Sequence, residues 1–458
     1  MLETRKEGAG TGRARRAGAR IPIRQDRPHG VDAAGTGDPG RTGTERQSDG
    51  MGSAAGAGDS ARAGTRIPIR QACPYGVNTA GAGGAAGADD AVSAERGQGR
   101  SWNTIAVVVF ALSIGIVGWI EVANPLGIRF SDLTGGIVTM DTMVRIGILT
   151  TVVVGLNLLM GYAGQASLGQ AAFYAIGAYV SAILTARTRT IGLPEALAAA
   201  WWWPWLVMVG GMLLAGGFAY LVGKPLLQLR GHYLAMGTLG LGIVVFIILR
   251  ENLGLSTAAL NITGGSDGIS DIGRLAIGPL QLWPIERYYF LVWAVALSVI
   301  VLSLRIVNSR VGRALRSIHG SEVAANTLGV DTDGQKLGVF CLSAVYASLA
   351  GSLYAHFQVA VSPGPFGFVG SLELVVMSVI GGIASIWGAP LGVAVALILK
   401  ELIRTRMHSV LRGAGGEHEV VAFGLLIVVI MIFMPQGLTV GVREWVRKAR
   451  HRLSVGKE

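Results

Sequence analysis

GYAGQASLGQAAFYAIGAYVSAIL, residues 161–184, is the stretch that decides the fold. It is apolar enough to lie in hydrocarbon, yet it carries Gln165, Ser167 and Gln170 among Gly161, Gly164, Gly169 and Gly177. A lipid-facing anchor has no use for that mixture. Amides and a hydroxyl buried in hydrocarbon need partners, and the close backbone approach that glycine permits provides them. The segment therefore points inward, toward other helices or toward a solute path.

The composition around it agrees. Of 458 residues, 51% are hydrophobic and only 15% charged, and the mean hydropathy is +0.51. Soluble domains carry about 25% charged residues. Low charge together with apolar runs of about 18 to 22 residues predicts an all-α polytopic membrane protein. The net charge of +11 comes from basic residues gathered in the tail and in certain loops, as the positive-inside rule expects. No folded basic domain with a nucleic-acid recognition motif is visible. Cys73 and Cys341 form neither a disulfide framework nor a metal pair.

From Trp102 onward the hydropathy predicts about ten transmembrane or re-entrant helices. They are Thr104–Ile120, Val144–Met160, Ser167–Ala186, Trp203–Val222, Tyr233–Leu249, Tyr289–Leu304, Leu337–Phe357, Leu372–Ile386, Pro390–Ile403 and Val420–Met434. The eighth and ninth are short and broken by Gly381, Gly382 and Gly388, so they form either two crossings or a re-entrant pair. Trp201 to Trp203 and Trp205 read as an interfacial aromatic cluster.

Basic residues set the direction. Lys224 and Arg230, then Arg305, Arg310, Arg313, Arg316 and Lys336, then Arg443, Arg447, Lys448, Arg450, Arg452 and Lys457 fall on one side. That bias predicts an N-in/C-in topology with residues 441–458 as a basic cytoplasmic tail. The helical membrane domain so outlined spans 101–440, with a cytoplasmic loop at 305–336. Residues 1–100 are of a different kind. Gly, Ala and Arg dominate, RIPIRQ occurs at 20–25 and again at 66–71, and no apolar run is long enough to fold. They read as a disordered cytoplasmic tail, with a misassigned translation start as the alternative.

No catalytic constellation is present: there is no GxxxxGK[ST], no HExxH and no GxSxG. Intramembrane polar groups carry the interest instead. Gln165, Ser167 and Gln170 sit where the second and third spans meet, in a glycine-broken segment whose freed backbone groups can meet a solute or merely allow close packing. Thr238, among Gly237, Gly240 and Gly242, has the same two readings. Glu373 faces a polar cavity or the outer interface. Arg145 reads as an interfacial anchor, His356 as an interfacial or satisfied histidine, and His232 as a cap or surface residue. Ala347, Gly351 and Ala355 form a small-xxx-small packing face.

The segment RVGRALRSIHGSEVAANTLGVDTDGQK, 310–336, predicts an amphipathic helix. Ala314, Leu315, Ile318, Val323 and Leu328 share its apolar side, Arg313, Arg316 and Glu322 stay polar, and Gly329 ends it as a C′ residue. It is either an ordinary surface helix or a docking helix for a soluble partner.

GYAGQASLGQAAFYAIGAY (161–179) closely resembles the signature of LivM-type permeases of branched-chain amino acid ABC importers. LRGHYLAMGTLGLG (229–242), ITGGSDGI (262–269), GRALRSIHGSEVAANTLGVD (312–331), LAGSLYAHF (349–357), VVMSVIGGIASIWGAPLG (375–392) and FMPQGL (433–438) continue the likeness in order. It covers about 300 residues, from near Val144 to Leu438. The resemblance implies a multi-pass subunit of the bacterial cytoplasmic membrane, and not an enzyme. It implies a second, LivH-like permease, two cytoplasmic ATP-binding subunits and a periplasmic or lipid-anchored binding protein as partners. ATP and Mg belong to those ATPase subunits, and no cofactor belongs to this chain. The 305–336 loop would couple to the ATPases through Arg313, Arg316, Glu322, Ala324, Ala325 and Gly329. The family often carries EAAxxxG there; here Val323 takes the Glu position and Glu322 falls one residue early. Urea and short-chain amide permeases share the signature, usually with His where this chain has Gln170. A translocation path along Gln165, Ser167, Gln170, Thr238 and Glu373 is the expectation, with a urea or amide permease and a non-transporting scaffold as alternatives.

Overall fold

The hydropathy runs become helices in the computed structural model of the protein, which describes residues 104–121, 138–188, 194, 200–229, 231–252, 262–278, 280–282, 284–410 and 424–425. The expected tail at 1–100, the expected tenth span at 420–434 (residues 424–425 apart) and the basic tail at 441–458 lie outside the described residues. Six described helices are long and apolar enough to cross a membrane. They are α1 (Thr104–Glu121), α2 (Met140–Asn157, continued to Tyr162), α4 (Trp203–Leu226), α5 (His232–Arg250), α6 (Ile285–Val307) and α9 (Thr332–Gln358). The chain is an all-α polytopic membrane protein. Strands among the described residues are two-residue pieces: β1 (Ile269–Ser270) pairs antiparallel with β4 (Ala360–Val361), and β2 (Ala276–Ile277) with β3 (Leu280–Gln281).

α9 is the central element, packed on α2, α4 and α3 (Gln170–Ala186). Asp331 starts it by accepting from the Gly334 amide at 3.0 Å, an N-cap that satisfies one of the free donors of a helix start. Its crossing with α3 is backbone against backbone. A Cβ on Gly177 would overlap the Ser348 carbonyl, and one on Gly351 would overlap the Tyr174 carbonyl. Ala347 and Ala355, one turn to either side of Gly351, are fully buried. That contact is the small-residue packing that helices in lipid rely on.

α2 packs against α6 and against the pair α10 (Phe368–Gly381) and α11 (Gly388–Val410). α10 has 14 residues, a rise of about 21 Å, which falls short of the ~30 Å of hydrocarbon. It turns back at Gly382, whose φ is +100°, and lies against α11. Cβ atoms on Gly381 and Gly388 would each overlap the other's carbonyl. Elsewhere the helices turn apolar side chains outward, as Leu213, Leu221 and Met236 do at 73%, 71% and 67% exposure. This is the reverse of a soluble surface.

Of the boundaries that differ from those the sequence predicts, two have a visible local cause. The third span starts at Gln170 rather than Ser167. The Leu168 amide is drawn off the helix ladder by the Thr238 hydroxyl at 3.0 Å, and Gly164 takes a φ of +68°. The 310–336 segment is not one amphipathic helix. It is α7 (Arg310–Gly320) and α8 (Glu322–Thr327), parted at Ser321. The Ser321 backbone is extended and its hydroxyl accepts from the Ala324 amide at 3.3 Å, which is N-cap geometry.

Candidate functional site

The site is built from a broken helix. After Asn157 the chain enters a π-turn, Leu158–Tyr162. The Ala163 and Gln165 amides donate back to Leu158 and Leu159 at 3.2 and 3.1 Å, and the chain then runs irregular to Gly169. Three neighbours enclose this break. A Cβ on Gly161 would overlap the Ile383 carbonyl of the α10–α11 turn, and one on Gly169 the Thr238 carbonyl of α5. A Cβ on Gly164 would stand 2.9 Å from His319 Nδ1 of α7. Backbone exposed at membrane depth is tolerated only where protein or a cavity covers it, and here protein covers it on three sides.

The polar side chains of the break divide in two. Gln170 is structural at one end: its Nε2 donates to the carbonyl and the hydroxyl of Ser343 on α9, both at 2.9 Å. Gln165 and Ser167 are 4% and 2% exposed. Among the described residues neither the side-chain amide atoms of Gln165, nor Ser167 Oγ, nor Gln170 Oε1 has a hydrogen-bond partner. Buried polar atoms are rarely left so, and these four keep unused hydrogen-bonding capacity. Thr238 is used up locally, accepting from Leu168 and donating to the Ala235 carbonyl at 2.9 Å.

Glu373 is remote from that group. It pairs with Lys400 of α11 at 2.8 Å and, together with Lys400, lines a cavity of about 320 Å³. Arg145, in the first turns of α2, lines the same cavity while paired with Asp141 at 2.7 Å. The structure therefore brings Gln165, Ser167, Gln170 and Thr238 together and sets Glu373 apart. His356 is buried, with Nδ1 2.6 Å from the Gly273 carbonyl and Nε2 unpartnered among the described residues. His232 is exposed, at the first position of α5.

In the 305–336 loop, Leu315, Ile318 and Ala325 are buried, at 0%, 5% and 1% exposure, but Val323 and Leu328 are 71% and 81% exposed. The last two do not share the buried face expected of them, because the break at Ser321 rotates α8 away from it. Arg313 and Ala324 are exposed, and Arg316 Nη2 donates to the Val307 carbonyl at 2.6 Å. Glu322 pairs with Lys336 at 2.6 Å, tying α8 to α9. Gly329 sits at φ +80° in open space. The Val330 amide donates to Ala325 and the Gly329 amide to Asn326, at 3.1 and 2.9 Å, a Schellman ending.

Sequence reasoning passed over Asn157 and Lys400. Asn157 is fully buried; its Nδ2 donates to the Ser385 carbonyl at 2.9 Å and its Oδ1 accepts from Ser378 Oγ at 2.5 Å. A polar residue inside an apolar run was the available signal for both.

Residues 138–435 match the family described as branched-chain amino acid transport system / permease component. The chain is 34% identical over 327 residues to the high-affinity branched-chain amino acid transport system permease protein LivM of Escherichia coli (strain K12), covering 66% of this chain and 70% of that one. It is 24% identical over 301 residues to the permease protein LivH of the same system in Salmonella typhimurium, covering 63% and 89%. A probable LivM permease of Methanocaldococcus jannaschii is 26% identical over 244 residues, covering 51% and 68%. No solved structure matches the chain significantly.

Proposed function

The chain belongs to the branched-chain amino acid transport permease family, and from that premise we propose that it is one permease subunit of an ABC importer for leucine, isoleucine, valine or a related hydrophobic amino acid. It acts in the cytoplasmic membrane, N-in/C-in, beside a second permease of the LivH kind. ATP hydrolysis takes place in two cytoplasmic partner chains, and an external binding protein delivers the amino acid.

The observation that carries this reading is the contact of Gly164 with His319. The break that holds the unpartnered Gln165 and Ser167 lies directly against α7, in the loop whose exposed Val323 and Leu328 offer apolar knobs to a docking chain. Movement of α7 and α8 on ATP binding is passed to the break without an intermediate element. A two-state element biased from both ends is what alternating access requires. The α10–α11 hairpin, with α10 too short to cross alone, is a re-entrant pair whose turn covers Gly161.

The test is ATP-dependent uptake of labelled leucine by the complete complex in proteoliposomes, with excess isoleucine or urea as competitor. Inhibition by isoleucine supports the reading. Inhibition by urea alone transfers the chain to the amide permeases, and absence of any uptake supports a scaffold.

A further inference from the structure

The cavity between α2, α3, α9, α10 and α11 is lined by both charged and apolar side chains. Asn157 at the end of α2 is bound to Ser378 and Ser385, so the C-terminal end of α2 is fixed at the α10–α11 turn. Distance from that turn then orders the wall residues. Ile148, Leu374 and Met377 lie nearer the turn and are 0%, 3% and 2% exposed. Arg145 stands about one turn beyond Ile148 on α2, Glu373 about one turn beyond Met377 and next to Leu374 on α10, and Lys400 lines the same space from α11. The wall therefore presents a guanidinium, a carboxylate and an ammonium beside an apolar surface that includes Ile148, Leu374 and Met377, with Tyr174 and Tyr354 completing it.

We propose that this cavity is a binding site for the α-amino acid zwitterion. The inference rests on the permease reading above. The substrate carboxylate takes the Arg145 guanidinium, displacing Asp141, and the substrate ammonium takes the Glu373 carboxylate, displacing Lys400. The branched side chain lies against Ile148, Leu374 and Met377. Both charges of the site are already paired, through Arg145–Asp141 at 2.7 Å and Glu373–Lys400 at 2.8 Å. Binding therefore exchanges one set of ion pairs for another, and the affinity stays low enough for release. The volume of about 320 Å³ suits a small solute. A neutral amide such as urea has no use for a charged pair beside an apolar surface.

The experiment titrates the assembled, nucleotide-free complex in nanodiscs with leucine, with leucinamide, which lacks the carboxylate, and with 4-methylpentanoate, which lacks the ammonium. Each analogue is expected to bind at least about tenfold more weakly than leucine, the loss of one charge-assisted pairing. Arg145→Gln should abolish the preference over leucinamide and leave the preference over 4-methylpentanoate. Glu373→Gln should do the converse, and Arg145→Lys should retain the wild-type order. If Arg145→Gln fails to assemble, Met377→Trp, which fills the apolar part of the cavity, should remove leucine binding. Unchanged preferences in the variants, leucine binding by Met377→Trp, or no leucine binding by a wild-type complex that imports leucine would each overturn the proposal. A wild-type complex that imports no branched-chain amino acid would instead overturn the permease reading.

Discussion

Asn157 donates to the carbonyl of Ser385 at 2.9 Å across a sequence separation of 228 residues. The bond joins the last residue of α2 to the turn between two helices that meet at glycine. It fixes the π-turn that follows, and with it the depth of both the break and the cavity. Asn157→Leu should lower the stability of the detergent-solubilised complex by about 1 kcal/mol, the scale of side-chain hydrogen bonds between membrane helices. Thermal unfolding checks this. An unchanged midpoint would mean that the amide is not a structural tie.

The α3–α9 crossing is steric and has no flexible partner to move. Gly177→Val and Gly351→Val should prevent recovery of a monodisperse permease, because backbone carbonyls occupy the space of the new side chain. Gly338→Ala, on the same α9 but with nothing within 4 Å of its Cβ, should leave the yield unchanged. Size-exclusion profiles of the three variants suffice.

Glu322 and Lys336 are 30% and 10% exposed at their side chains. Removing one member of a largely buried pair strands the other charge, whereas replacing both with apolar groups of similar size is far better tolerated. Glu322→Ala should therefore lower the melting temperature more than the double variant Glu322→Leu/Lys336→Met. The opposite order would show that the pair is solvated in the assembly.

Gly329 needs its left-handed backbone and not its small size. Gly329→Val should be strained by about 1–2 kcal/mol, while Gly329→Asn, which tolerates that conformation, should be close to wild type. If α8 docks on the ATPase chains, ATP-coupled uptake should fall in Val and persist in Asn. Equal uptake by both would remove the loop ending from the coupling path.

The extent to which all this was legible in the chain varies by element. Long apolar runs gave α1, α2, α4, α5, α6 and α9 to within a few residues, because hydrocarbon demands length and little else. The start of α3 was not legible, since it depends on Thr238, 70 residues beyond Leu168. The division at Ser321 had a local signal, a cap residue followed by Glu322, which an amphipathic pattern extending across it obscured. Gln165, Ser167 and Gln170 stood out as polar groups in an apolar run, but only the fold separates the satisfied end of Gln170 from the unsatisfied Gln165. Arg145, Glu373 and Lys400 lie far apart in sequence, on three helices, and their shared cavity belongs to the packing.

Uptake by the reconstituted complex decides whether this chain is an amino acid permease at all. Proteoliposomes holding the chain, its partner permease, the ATPase chains and the binding protein should accumulate labelled leucine only with ATP inside the assay. Unlabelled isoleucine should suppress that uptake and urea should not. Accumulation that ignores ATP, or that urea suppresses and isoleucine does not, would contradict the assignment.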